Sequence, residues 1–161
     1  MTKPDYDSPA AHAAQIGGAG GITNGRGLAG MYAPRACGGC KIGTEYVDRD
    51  TLSRMGAISS ATGRDMVLLI PSRFSLGFMK TMDNRKQPQG YQDSVIMGEN
   101  AFGHAGFGGS LGFADPAVEM SFGYTMNSLG QGTGVNERGQ SLVDAAYRSL
   151  GCTSNASGGW Q

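Results

Sequence analysis

The chain has 161 residues and a mass of 16.7 kDa, which suits one domain built around a single core. Thirteen Lys plus Arg residues balance thirteen Asp plus Glu residues, so the composition indicates no basic surface for nucleic acid and none for an acidic membrane. Glycine supplies 28 residues and proline only six, without a Gly-X-Y period, which excludes a collagen and argues against a wholly disordered chain.

The first 21 residues are rich in alanine and glycine, which is typical of an arm or loop. We expect a flexible arm over 1–21, one domain over 22–151 and a polar tail over 152–161. The start lacks the basic residues and apolar run of a signal peptide, and no window reaches the length of a membrane span. These features predict no membrane partner and a cytoplasmic location.

Three cysteines, Cys37, Cys40 and Cys152, form an odd set without a secretory signal, which favours reduced thiols. Cys37 and Cys40 have the spacing of a redox pair or of half a zinc site. A zinc site would need a second pair of ligands, but His12 and His104 are far apart and no other Cys-x-x-Cys is present. We therefore expect no metal, no cofactor and no redox role.

Two short helices are predicted in the first third of the domain. The first begins at a cap on Thr23 or Asn24, with apolar residues at i, i+3 and i+4 from Leu28. The second begins at Asp48, a good N-cap residue, and ends at Gly56. Both helices are expected to pack on a larger body.

The middle of the chain predicts strands. An alternating aromatic pattern favours a strand over 73–79, followed by a solvated loop over 82–93. Apolar residues among glycines predict another strand over 102–114. Strict alternation over 118–127 indicates the clearest strand of the chain, and the turn at 115–116 would pair it antiparallel with the strand before it.

An amphipathic helix is predicted over 141–150, with Gly151 ending it. This helix can cover one face of the sheet, and Trp160 either anchors the polar tail or lies free. The fold class that follows is α+β: an antiparallel sheet of about three strands with a covering C-terminal helix.

Residues 103–112 are the segment whose composition best suits a site. Residues 108–112 match Gly-x-Ser-x-Gly, the nucleophile elbow of α/β-hydrolases, with Ser110 at its centre. That elbow needs a helix after the serine and a histidine later in the chain, whereas a strand is predicted next and both histidines precede Ser110. A glycine-rich strand that packs closely against another element is the favoured interpretation.

The sequence resembles the C-terminal part of the serine β-lactamase-like family, which includes class C β-lactamases, DD-peptidases and related esterases. The resemblance covers roughly residues 20 to 151 and implies a partial β-lactamase/transpeptidase-like fold. The segments that carry it follow the family's order: Arg73-Phe74-Ser75-Leu76-Gly77-Phe78, Phe102-Gly103-His104-Ala105-Gly106-Phe107-Gly108-Gly109-Ser110, Gly112-Phe113-Ala114-Asp115-Pro116, Phe122-Gly123-Tyr124-Thr125-Met126-Asn127 and Arg138-Gly139-Gln140-Ser141-Leu142-Val143-Asp144-Ala145-Ala146-Tyr147.

The resemblance implies three catalytic residues, His104, Gly106 and Phe107. The family's third active-site box is Lys-Thr-Gly or His-Thr-Gly, and His104-Ala105-Gly106 occupies its place. His104 would face a substrate carboxylate and assist proton transfer, Gly106 would let the strand approach the substrate, and the Phe107 N–H would donate to the oxyanion. Ala105 lacks the family's hydroxyl, which favours an esterase over a β-lactamase. Without the resemblance, His104 would be interpreted as a structural histidine at a sheet edge, with its ring hydrogen-bonded within the fold.

Two of the family's boxes are absent from the sequence: Ser-x-x-Lys, which holds the nucleophile, and Tyr-x-Asn or Tyr-Ser. The resemblance therefore implies the C-terminal portion of a serine hydrolase for small-molecule esters or amides, or a start assigned at an internal methionine. We expect the isolated chain to be inactive. The strand over 118–127 would have an open edge, which predicts self-association or a separate N-terminal partner chain. The alternative is a non-catalytic module that binds a partner through that edge.

Overall fold

The computed structural model describes residues 5–132 and 134–161. In chain order, the helices and strands of these residues are α1 (Pro9–Ala13), α2 (Gly25–Ala36), β1 (Cys40–Lys41), β2 (Thr44–Glu45), α3 (Arg49–Gly56), β3 (Ser60–Thr62), β4 (Ser72–Phe74), β5 (Phe102–Ala105), β6 (Leu111–Asp115), β7 (Met120–Tyr124) and α4 (Glu137–Ser149).

The central sheet is antiparallel, with the order β5-β6-β7. In its register Phe113 of β6 lies opposite Gly103 of β5 and Phe122 of β7. Strands β6 and β7 pair antiparallel, which confirms the predicted hairpin. The turn that joins them contains Glu119 at φ +50°. The α+β class and the sheet of three strands are confirmed as well.

Helix α4 covers one face of this sheet, as predicted, but begins earlier, at a cap on Asn136. Its buried Tyr147 stacks on Phe113, which stacks on Phe122. Trp160 stacks on the other side of Tyr147, with ring centroids 5.8 Å apart, and its indole N–H donates to the Asp144 carboxylate. Of the two alternatives for Trp160, the structure therefore supports the anchor.

Helix α2 covers the opposite face and begins at a cap on Asn24, one of the two cap residues that the sequence allowed. Its Tyr32 is buried in a cluster with Phe102 and Ala114, and the Phe78 ring meets both aromatic rings edge to face. The sheet is thus the middle layer between two helices. Helix α3 begins at the Asp48 cap, also as predicted.

Two strand predictions need correction. The segment 102–114 is not one strand, because the glycine-rich residues 106–110 turn the chain back and separate β5 from β6. The strand over 73–79 is limited to its first residues within β4, because the Ser75 N–H donates to the Phe78 carbonyl around Gly77 at φ +78°. Helix α1 lies within the segment predicted as an arm, and residues 1–4 lie outside the described residues.

Candidate active site

The strand β5 positions the residues of the predicted third box. Alternation along the strand places Phe102 and His104 on the face toward α2, and Gly103 and Ala105 on the face toward α4. Phe102 and Ala105 are buried, whereas the His104 side chain is exposed. Packing of Phe102 and Ala105 therefore fixes the strand on either side of His104, the one residue of β5 that is exposed to solvent.

His104 has a defined orientation. Its Nδ1 atom lies 2.6 Å from the carbonyl oxygen of Ala105. Since a carbonyl oxygen only accepts hydrogen bonds, Nδ1 carries the proton in this contact. Nε2 is then the ring nitrogen that remains available for contacts outside the strand.

The turn after β5 is tight and built from glycines. The Gly106 N–H donates to the Ser110 carbonyl at 2.7 Å, and the Gly109 N–H donates to the Gly106 carbonyl at 3.0 Å. Gly108 and Gly109 have φ values of +82° and +106°, in the region that favours glycine. Phe107 lies at the tip of this turn.

Phe107 is exposed to solvent. The residue is 72% exposed, and its N–H makes no hydrogen bond to any of the residues 5–132 and 134–161. Because both neighbouring strands and the turn are hydrogen-bonded, this N–H is a fixed donor without an internal acceptor. It can bind an oxygen atom supplied from outside.

A second loop holds the turn in place. The Gly108 carbonyl accepts hydrogen bonds from the Gly130 N–H at 2.9 Å and from Asn136 Nδ2 at 3.0 Å. The same Asn136 side chain accepts from the Gly139 N–H and so caps α4. Sequence reasoning missed Asn136, although an asparagine directly before Glu137 at a helix start is a recognisable N-cap signal.

The predicted site residues do not line any of three clefts in the described part of the chain. A cleft of about 920 Å³ lies beside the loop that holds the turn, between that loop and the start of α4. His104, Gly106 and Phe107 do not line it, nor do they line the clefts of about 680 and 370 Å³. The lining residues of the largest are Arg85, Gln92, Asp93, Ser94, Ile96, Gly130, Gln131, Gly132, Val135, Asn136, Glu137, Arg138 and Gln140.

Ser110 does not have the surroundings of a nucleophile elbow. It directly precedes the strand β6, whereas the elbow requires a helix at that point. Its Oγ occupies the space where a side chain at position 106 would begin. The structure therefore agrees with the interpretation of this segment as a closely packed glycine-rich turn.

A buried polar network supports the sheet below the site. The Tyr147 hydroxyl donates to the Asp115 carboxylate at 2.7 Å and accepts from the Gly98 N–H at 2.8 Å. Burial, together with the Asp115 charge, raises the pKa of Tyr147 well above its usual range. The tyrosine therefore stays neutral and acts as a structural link between α4 and the end of β6.

Lys80 and Glu99 are charged groups near the same end of the sheet. Lys80 is only 3% exposed, and burial lowers its pKa below the ordinary value. The hydrogen-bonded Arg73 lowers the pKa of Glu99 through a bidentate salt bridge. Neither group lies on β5 or in the glycine turn.

The part of the chain that the structure describes contains no cluster of three or more His, Cys, Asp and Glu side chains arranged to hold a metal ion. Cys37 and Cys40 are free thiols and exposed, and Cys152 is a free thiol that is partly buried. Among residues 5–132 and 134–161, no helix combines the length and apolar character needed to cross a bilayer.

Several known proteins are similar to this chain in sequence and in fold over most of its length. No family model matches the sequence. The esterase/beta-lactamase LipL of Mycobacterium tuberculosis is 33% identical over 116 residues, which is 72% of this chain and 24% of LipL. The similarity therefore extends well beyond single motifs.

Three solved structures have the same arrangement. A family VIII carboxylesterase matches 78% of this chain with a TM-score of 0.66 and 34% identity. A penicillin-binding protein homolog from Caulobacter crescentus matches 78% with a TM-score of 0.64 and 30% identity. EstA from Arthrobacter nitroguajacolicus Rue61a matches 79% with a TM-score of 0.63 and 27% identity.

The chain spans about a quarter of the length of LipL and about a third of each solved relative, 31% or 32%. LipL is named as an esterase/beta-lactamase, and two of the solved structures as a carboxylesterase and a penicillin-binding protein homolog. In sequence and in fold, the chain is similar to part of the β-lactamase-like serine hydrolases.

Proposed function

We propose that this chain supplies the third active-site box and the oxyanion strand of a β-lactamase-related serine hydrolase. In this proposal His104 presents its Nε2 atom to the substrate, Gly106 keeps the strand free of a side chain, and the Phe107 N–H stabilises the oxyanion. The substrate is a small-molecule ester or amide. The observation that carries the proposal is the Phe107 N–H, which has no acceptor among the described residues and lies in the turn after the strand that exposes His104.

The chemistry of acyl transfer explains why such a donor matters. When a nucleophile attacks the carbonyl carbon, the carbonyl oxygen gains negative charge, and a preorganised N–H stabilises that charge by about 3 kcal/mol. Hydrogen bonds on both sides of Phe107 fix the direction of its N–H before the substrate arrives. The donor therefore needs no reorganisation during the reaction.

Gly106 contributes through the space it leaves open. A side chain at this position would begin where the Ser110 Oγ atom lies, so the turn accepts only glycine without rearrangement. The bare backbone lets a flat acyl group approach the strand. A side chain here would force the Ser110 hydroxyl to rotate away.

The nucleophile is the part that the chain does not supply in this proposal. The sequence contains no Ser-x-x-Lys, and its lysines 41, 80 and 86 follow Gly38, Gly77 and Asp83 at the required spacing. We propose that the serine comes from a segment that completes the family's fold. Because Ala105 has no hydroxyl to bind a carboxylate, esters are the favoured substrates over β-lactams.

Activity reconstitution tests the proposal. The purified chain alone should not hydrolyse nitrocefin or p-nitrophenyl butyrate. Mixed with the portion of the family VIII carboxylesterase that this chain does not match, it should hydrolyse the ester. Activity of the isolated chain that Ser110→Ala abolishes would contradict the proposal and place the nucleophile at Ser110.

Variants in the reconstituted mixture separate the roles of the two residues. Phe107→Pro removes the N–H and should lower kcat about a hundredfold, whereas Phe107→Leu keeps the N–H and should leave most of the rate. His104→Ala should also lower kcat, while His12→Ala, on the short helix α1, should not. Equal rates for the proline and leucine variants would exclude Phe107 as an oxyanion donor.

A second candidate function is a non-catalytic module that binds a partner strand. The observation in its favour is that β7 pairs only with β6 among the described residues, so its outer edge has no strand partner there. Stable association with the completing segment but no hydrolysis would favour the module. Size-exclusion chromatography with mass detection separates association, self-association and a monomer.

A further inference from the structure

Two exposed thiols, separated by two residues, lie in the turn that follows α2. Cys37 is the C-cap of the helix and Cys40 is the first residue of β1, with Gly38 and Gly39 between them. Both thiols are free and exposed. Neither belongs to the active site proposed above.

This turn has a fixed shape. Gly38 and Gly39 have φ values of +70° and +93°, the left-handed conformation that reverses the chain at a helix end. The Gly39 N–H donates to the Pro34 carbonyl at 2.7 Å, and the Cys37 N–H donates to the Ala33 carbonyl at 3.1 Å. The helix end is therefore closed by its own hydrogen bonds.

The far side of the turn is fixed as well. The Gly39 carbonyl accepts hydrogen bonds from the N–H groups of Tyr46 and Val47, and Cys40 pairs with Glu45 in the β1–β2 hairpin. A side chain at Gly39 would overlap the Val47 carbonyl, so glycine is required there. Both cysteines are thus held by neighbouring structure rather than by a loose loop.

We propose that Cys37 and Cys40 form a dithiol site that exchanges with low-molecular-weight disulfides, of which oxidised glutathione is the probe, and closes to an intramolecular disulfide. The proposal does not depend on the hydrolase function. It replaces the sequence-based expectation that the pair has no redox role. What changes the interpretation is the fixed turn, which holds the chain on both sides of the two exposed thiols.

The exchange proceeds in two steps. One cysteine, as thiolate, attacks a sulfur of oxidised glutathione, which forms a mixed disulfide and releases one glutathione thiolate. The second cysteine then attacks the protein sulfur of the mixed disulfide and releases the second glutathione. The protein dithiol loses two electrons and two protons, and one molecule of oxidised glutathione becomes two molecules of reduced glutathione.

The position of the pair indicates what the disulfide does. Cys37 follows the last residue of α2 and Cys40 is the first residue of β1. A disulfide between them therefore acts as a clamp between these two elements. The clamp joins the end of α2 to the β1–β2 hairpin, and α2 is the helix that covers one face of the central sheet.

Peptide mass analysis tests the proposal on the intact chain. Trypsin cleaves after Arg35 and Lys41, so one peptide, residues 36–41, carries both cysteines, while Cys152 lies on another. After incubation with oxidised glutathione and alkylation, this peptide should be lighter by two hydrogen atoms and carry no label. Two glutathione adducts on it, or two alkyl groups, would overturn the proposal.

Three comparisons complete the test. Cys152→Ser should leave the product unchanged, and Cys40→Ser should trap a single glutathione on Cys37. The equilibrium constant for closure should be about tenfold larger for the native chain than in urea, because the fold holds the turn in place. Equal constants, or a disulfide-linked dimer as the main product, would show that the fold does not favour closure of the disulfide between Cys37 and Cys40.

Discussion

The two faces of the β5–β6–β7 sheet receive their helices in opposite ways. Toward α4 the sheet presents large side chains, with Phe113 and Phe122 stacked below Tyr147. Toward α2 the strands β6 and β7 present Gly112 and Gly123. The helix backbone reaches the sheet at Gly123, and the Leu28 and Tyr32 side chains fill the space over Gly112. Over β6 and β7, one face is therefore stabilised by buried volume and the other by close approach. Opposite kinds of substitution should therefore damage the two faces.

The largest expected effect comes from removing volume on the α4 face. Phe113→Ala deletes a fully buried ring that contacts two other aromatic rings, and should lower the free energy of unfolding by about 4 kcal/mol. Urea denaturation measures the change. The exposed Phe107→Ala is the matched control and should change stability by less than about 0.5 kcal/mol. Similar losses for both would contradict the assignment of the core.

Adding volume on the α2 face should have the next largest effect. A Cβ atom on Gly123 would lie 2.5 Å from the Ala29 backbone nitrogen, so α2 would have to move away from the sheet. We expect Gly123→Ala to cost about 3 kcal/mol. Gly21→Ala adds the same atom where nothing lies within 4 Å, and should be nearly neutral. Equal stability of these two variants would show that α2 does not pack closely on β7.

Tyr147→Phe tests the polar part of the α4 face. The variant keeps the ring but leaves the buried Asp115 carboxylate without the tyrosine donor and the Gly98 N–H without its acceptor. We expect a loss of about 2 kcal/mol, measured by thermal and urea unfolding. Tyr46→Phe, at a 63% exposed tyrosine, is the control and should be neutral. A neutral Tyr147→Phe would mean that the network contributes nothing to stability.

Lys80→Met should have the smallest effect, and its sign depends on pH. Burial lowers the pKa of Lys80 in the folded chain, so between that value and the ordinary 10.5 the unfolded chain binds more protons and stability rises with pH. The cost of the buried charge is therefore complete below the lowered pKa and disappears as the pH approaches 10.5. Removing the charge should stabilise the chain at pH 7 by about 1 kcal/mol.

Denaturation of both chains at several pH values checks this sign. The advantage of Lys80→Met over the natural chain should shrink steadily as the solution becomes alkaline. Lys86→Met, at an exposed lysine, should show no such trend. An advantage that grows with pH would contradict the assigned direction of the pKa shift.

Local signals in the sequence predicted the elements whose ends are set by their own residues. The caps Asn24 and Asp48 marked the starts of α2 and α3, because their side chains satisfy the first N–H groups of each helix. The alternation around Phe122 predicted β7, and the turn before it predicted the hairpin. The covering helix α4 followed from its apolar spacing.

Features that depend on distant contacts could not be predicted in the same way. The glycine turn that divides β5 from β6 is held by the loop that contains Gly130 and by Asn136, more than 20 residues later. The exposed position of His104 depends on how the sheet is layered between two helices. Within the described part of the chain, the Phe107 N–H has no acceptor because of that turn, so the resemblance named the residue but only the fold defined its surroundings.

The stacking of Trp160 on Tyr147 has a practical consequence. It is the single tryptophan of the chain, it lies against α4, and Arg148 covers its ring. Its fluorescence therefore reports one defined place, the seam between the tail and the last helix. Lifting of the tail, or docking of another chain along this seam, becomes visible in the emission spectrum without any added dye.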